Sequence, residues 1–130
     1  MHRVFVYGTL KKGFHNHFLI EQSILLSTEA ATRDPYHLSI GNFCIPYLQE
    51  APGHPILGEL YLVDDNTLNK LDELEKVPSH YLRKLITLEN ENDPAWIYVK
   101  TKLDPELLQQ PSRTHYSKED HEKYIPQSER

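Results

Sequence analysis

Most of the chain alternates apolar and polar residues in short stretches, and one segment repeats with a clear helical period. Residues 3–7 are a β-branched and aromatic run closed by Gly8, which predicts a strand. Residues 8–13 follow as a loop between two glycines, carrying Thr9, Lys11 and Lys12. Residues 16–27 predict a helix, with Asn16 as N-cap and Phe18, Ile20, Ile24 and Leu25 among its apolar positions. Residues 36–40 and 45–48 predict short strands, held to edges or strand starts by Pro35 and Pro46. Pro52-Gly53-His54-Pro55 is a turn cluster, and residues 56–63 alternate as a strand. Capping residues then precede Leu68, Leu71 and Leu74, so a helix runs over residues 64–75 until Pro78 stops it. Residues 81–88 and 95–100 predict two more strands around the polar turn 89–94.

Strands outnumber helices and mostly follow one another. This predicts an α+β domain, a small mixed β-barrel or curved sheet with two packed helices. The domain spans residues 1–104. Residues 105–130 form a polar tail packed on it or extending from it, with Tyr116, Tyr124 and Ile125 as its few anchors.

Charge narrows the partners. Fourteen Lys+Arg against 19 Asp+Glu give a net charge of −5, so the basic footprint of a nucleic-acid binder is missing. No basic amphipathic stretch suits an anionic membrane, and runs such as Ile24-Leu25-Leu26 are far too short to span one. The first residues enter a strand at once, so no leader is expected, and the expected place of work is cytoplasmic. Nothing in the sequence suggests an obligate dimer, so a monomer is expected. The single Cys44 lies in an apolar setting and reads as a small core residue rather than a nucleophile. Eight histidines invite a metal site, but no pair has the i, i+4 spacing of a helical zinc motif. They read as solvated polar groups, and no metal is expected.

Two features carry candidate chemistry. On a helix at ~100° per residue, Leu68, Leu71 and Leu74 centre on Leu71; Glu75 then lies ~40° from that centre, Asp72 ~100° and Glu73 ~160°. Glu75 therefore sits on the apolar face, in the last turn, where burial and the macrodipole both raise a carboxyl pKa. Such a group suits a general base that must later return its proton. The plainer alternative, favoured on this geometry alone, is that Glu75 pairs with a cation such as Arg83 or snorkels to the rim of the face. The second feature is the strand that breaks at Gly8, leaving backbone N–H groups at its end that can hold a carboxylate or an oxyanion. Gly8 and Gly13 have Walker spacing, but Phe14 follows, so this is no phosphate loop.

Together these segments resemble the γ-glutamylcyclotransferase-like superfamily. Tyr7-Gly8-Thr9-Leu10 with Lys12-Gly13 is similar to its Tyr-Gly-[Ser/Thr]-Leu loop. Leu71-Asp72-Glu73-Leu74-Glu75, followed by Pro78, Tyr81 and Arg83, resembles its Leu-Asp-x-x-Glu…Pro-x-x-Tyr-x-Arg segment. Gly58-Glu59-Leu60-Tyr61 with Val63-Asp64 resembles its Gly-Glu-[Val/Leu]-Tyr strand. The match covers most of residues 4–99. Pro35-Tyr36-His37-Leu38, Ile45-Pro46 and the tail's Tyr116 and Tyr124-Ile125-Pro126 most resemble the γ-glutamylamine cyclotransferase subfamily.

The resemblance implies a mixed fold around a β-barrel, no metal or cofactor, and a small-molecule γ-glutamyl amide as substrate. Glu75 would be the catalytic base and acid that helps a γ-glutamyl unit close on itself, releasing 5-oxoproline and an amine, which is lysine for γ-glutamyl-ε-lysine. The backbone of Gly8, Thr9 and Leu10 would hold the glutamyl group, with Tyr7 as a wall. The alternatives are a relative acting on other γ-glutamyl amides or peptides, and a non-catalytic binding relative. Lys76 departs from the family, in which a small residue often follows the Glu. Tyr81 is expected mainly to pack.

Overall fold

A computed structural model describes residues 1–130. Its strands are β1 (His2–Val6), β2 (Ile24–Ala31), β3 (Tyr36–Ile40), β4 (Pro46–His54), β5 (Leu57–Val63), β6 (Tyr81–Ile86) and β7 (Ala95–Lys100). The helices are α1 (Asp65–Leu74), α2 (Pro105–Leu108) and α3 (Lys118–Glu122). Five strands form one sheet in the order β2-β5-β1-β7-β6, and β3 pairs with β4 as a separate hairpin. β1 is antiparallel to β5 and parallel to β7. No helix is long and apolar enough to cross a membrane.

Period-2 alternation on β1 explains its central place. Phe5 and Tyr7 face one apolar cluster with Leu38 and Leu48 of the β3–β4 hairpin and Ile97 and Val99 of β7. Val4 and Val6 face a second, with Leu68 and Leu71 of α1, Leu10, Ile20 and Tyr98. Both faces of the strand are thereby removed from water, which is why residues 4–7 read as a continuous apolar run. α1 starts as expected: the Asp64 carboxylate caps the Thr67 N–H at 2.7 Å.

Two expectations are corrected. The sheet is curled but not closed into a barrel: its edge strands β2 and β6 do not pair. Only their extensions touch, at the bridge Thr32–Leu88, flanked by Arg33 N–H to Thr87 O at 3.1 Å and Glu89 N–H to Ala31 O at 2.9 Å. Beyond it, Pro35 offers no N–H to extend the ladder, and Asn90 turns the other chain away with φ 61°. The helix over residues 16–27 is also absent. A short 3-10 turn at His17–Leu19 lies in a series of three-residue turns, and the chain then enters β2. The Asn16 side chain, expected to cap a helix, donates instead to Thr9 Oγ1 at 2.9 Å. Ile24 and Leu25 pair with Leu62 and Tyr61 of β5, so a sheet partner outweighs local helical pattern.

The tail is part of the same body. Tyr116 is fully buried, Arg113 N–H donates to Leu38 O at 2.8 Å, and Leu57 N–H donates to Thr114 O at 2.8 Å.

Candidate active site

A cavity of about 480 Å³ opens where β1 ends, and Tyr7, Gly8, Thr9, Leu10 and Glu75 all line it. The five residues singled out from the sequence therefore meet in one place, brought there by two elements packed on the same cluster. β1 delivers the loop, and α1 ends beside it.

The loop is folded back and pinned. Asn16 N–H donates to Thr9 O at 2.9 Å, and Lys12 N–H donates to Glu59 Oε1 at 2.8 Å, an oxygen that also accepts from the Tyr61 hydroxyl at 2.9 Å. The backbone N–H groups of Gly8, Thr9 and Leu10 donate to no protein acceptor. Gly8 is required by contact rather than by φ: a Cβ there would lie 2.7 Å from Pro46 Cγ, another lining atom. Gly13 is required by its φ of +87°.

Asp72 and Glu75 separate along the last turn of α1. Asp72 meets Arg83 twice, Nε to Oδ1 at 3.0 Å and Nη2 to Oδ2 at 3.2 Å, and accepts from the Tyr98 hydroxyl at 2.7 Å. Arg83 also lies over the Trp96 ring, 4.4 Å from its centroid. The cation offered as an ion-pair partner for Glu75 is thus taken by Asp72. Glu75 is half-buried and has neither a salt bridge nor a side-chain hydrogen bond. Burial alone pushes its carboxyl up to about 7. The helix turns away immediately after it: Lys76 N–H donates to Glu73 O at 3.2 Å and Val77 N–H to Asp72 O at 3.0 Å, with Lys76 at φ 53°. This is a Schellman cap whose left-handed position usually holds glycine.

Tyrosines supply much of the wall. Tyr7, Tyr47, Tyr81, Tyr98 and Tyr124 all line the cavity. The Tyr7 hydroxyl donates to Tyr98 O at 2.8 Å. Burial is the main reason that the Tyr7, Tyr81 and Tyr98 phenols stay well above their usual range and neutral; after it come Tyr81 and Glu75 for Tyr7, Glu75 for Tyr81, and the hydrogen bond and charge of Asp72 for Tyr98. Tyr81 packs against the second apolar cluster, as expected, and also lines the cavity. Tyr47, Tyr124 and Arg130 were missed because they reach the cavity from β4 and the tail, with no spacing that links them to residues 7–10. Cys44 is half-buried at φ 54°, not a core residue. His121 stacks on Phe14 and Tyr124, with centroids 4.5 and 5.1 Å apart, so this histidine is a packing group.

Comparison with known proteins identifies the family and the fold. Residues 4–123 match the family model described as gamma-glutamyl cyclotransferase, AIG2-like. Gamma-glutamylaminecyclotransferase B of Danio rerio is 43% identical over 127 residues, covering 87% of this chain and 66% of its own length. Gamma-glutamylaminecyclotransferase of Homo sapiens is 34% identical, covering 89% of this chain and 90% of its own. The crystal structure of an AIG2-like protein from Mus musculus superimposes with a TM-score of 0.88 at 32% identity, covering 100% of this chain and 99% of that one. The chain belongs to the AIG2-like gamma-glutamyl cyclotransferase family.

Proposed function

We propose that the protein is a γ-glutamylamine cyclotransferase that converts γ-glutamyl-ε-lysine to 5-oxoproline and lysine. The observation that carries the reading is Glu75, an unpaired carboxyl on the cavity wall beside the Gly8–Leu10 backbone, raised to about 7.

The nucleophile is the substrate's own α-amine, so no serine or cysteine is needed. Its nitrogen attacks the γ-carbonyl carbon, a five-membered ring closes, and the bond from that carbon to the lysine ε-nitrogen breaks. Glu75 takes a proton from the attacking amine and returns it to the departing nitrogen, so the enzyme ends as it began. An α-ammonium group titrates at about 8 in peptides, and each unit of mismatch costs about 1.4 kcal/mol. A carboxyl at about 7 is far better matched than one at its ordinary value. Ring closure gains its rate from holding the glutamyl unit folded. The free N–H groups of Gly8, Thr9 and Leu10 are suited to the glutamyl carboxylate or the developing oxyanion, with Tyr7 as the wall. No metal or cofactor enters these steps, and a small γ-glutamyl amide is the only partner they require.

The test is 5-oxoproline release from γ-glutamyl-ε-lysine, γ-glutamyl-alanine and glutathione. Turnover of the first is expected, lowered on the order of a thousandfold in Glu75→Gln with the fold intact. Retained turnover in that variant sinks the mechanism, and preference for one of the other two amides moves the substrate assignment there.

A further inference from the structure

The cavity has a second built end, made by residues 41–47 and the tail. Phe43 and Cys44 are consecutive non-glycine residues at φ 59° and 54°, a backbone that persists only where the surroundings hold it. The tail holds it: Ile125 N–H donates to Phe43 O at 3.1 Å, and the Tyr116 hydroxyl donates to Cys44 O at 2.8 Å. The result is to present the Phe43 ring to Arg130, whose guanidinium carbon lies 5.2 Å from its centroid and 5.7 Å from that of Tyr124. Arg130 Nε donates to Ile125 O at 2.8 Å. Its two terminal nitrogens meet no protein acceptor, and no carboxylate pairs with it.

A guanidinium clamped by two rings, with its fork free on a cavity wall, matches a carboxylate in geometry and charge. Tyr47 and Tyr81 line the same cavity as Glu75 and Arg130.

We propose that Arg130 is the specificity-determining residue of the cavity: it receives the carboxylate of the amine that leaves, while the Tyr81 and Tyr47 rings line its alkyl stem. This deepens, and rests on, the cyclotransferase reading. The chemical class is a γ-glutamyl amide of an ω-amino acid, preferred over the same amide of a plain alkylamine.

The experiment compares γ-glutamyl-ε-lysine with γ-glutamyl-pentylamine, which keeps the stem and lacks the carboxylate. In Arg130→Gln the ratio of the two kcat/KM values should fall on the order of tenfold, through KM for the lysine adduct. Arg130→Lys should recover part of it. An unchanged ratio, or an equal shift seen with Lys76→Gln in place of Arg130→Gln, overturns the proposal. Calorimetric binding of γ-glutamyl-ε-lysine to Glu75→Gln, with and without Arg130→Gln, separates the two readings. Weakening by Arg130→Gln supports the subsite even if wild-type protein releases no 5-oxoproline. Equal binding overturns the subsite while turnover stands.

Discussion

Two carboxylates one helical turn apart have opposite surroundings. Asp72 looks toward β6 and β7 and is occupied, ion-paired with Arg83 and accepting hydrogen bonds from Arg83 Nη2 and the Tyr98 hydroxyl. Glu75 looks toward the cavity and has nothing. The same helix thus uses one acid to tie itself to the sheet and strands the other in a poorly solvated place. The first adds stability; the second costs stability and gains a titration near neutrality.

Breaking the contrast at Glu75 has the largest expected effect. Beyond the loss of turnover, kcat/KM of the wild type should fall as pH drops through about 7, because a base must be unprotonated to act. A pH–rate profile with its acid limb near an ordinary carboxylate value would contradict this. Stability moves the other way. The folded-state carboxyl binds its proton more tightly than the unfolded one, so wild-type stability falls as pH rises from about 4.5 through about 7. Urea unfolding should therefore find Glu75→Gln more stable than wild type by roughly 3 kcal/mol at pH 8 and nearly equal at pH 4.

The Asp72 side is broken by Asp72→Asn, which leaves Arg83 half-buried without its partner. A loss of about 1–2 kcal/mol is expected by the same unfolding measurement. The apparent pKa near 7 in the rate profile should stay, because burial alone raises Glu75. A large move in that pKa would show that the two acids are one electrostatic unit. The smallest change is Lys76→Gly, which relieves a left-handed backbone just after Glu75. It should raise Tm by a few degrees, about 1 kcal/mol.

That Glu75 and the loop at residues 7–10 meet in one cavity was legible because the signals are local. A helical stripe placed Glu75 on the apolar face, and a strand ending in Gly8 marked the loop. Even there, the ion-pair alternative was settled only by Arg83 choosing Asp72, a choice made across the gap between α1 and β6. The far end of the cavity was not legible. Tyr124 and Arg130 lie in a polar, irregular tail, and Tyr47 in a strand whose approach depends on hydrogen bonds from residues 116 and 125 to residues 43 and 44. The helix expected over residues 16–27 failed for the same reason in reverse. Its apolar residues had a partner, but that partner was β5.

The burial of β1 on both faces also has a kinetic meaning. Amides of Val4, Phe5 and Val6 have no water on either side and strands on both edges. Their hydrogen exchange should require global unfolding, whereas the largely exposed tail opens in smaller, cheaper excursions. The loop at residues 7–10 continues directly from this strand, so the wall it gives the cavity should outlast such excursions of the tail.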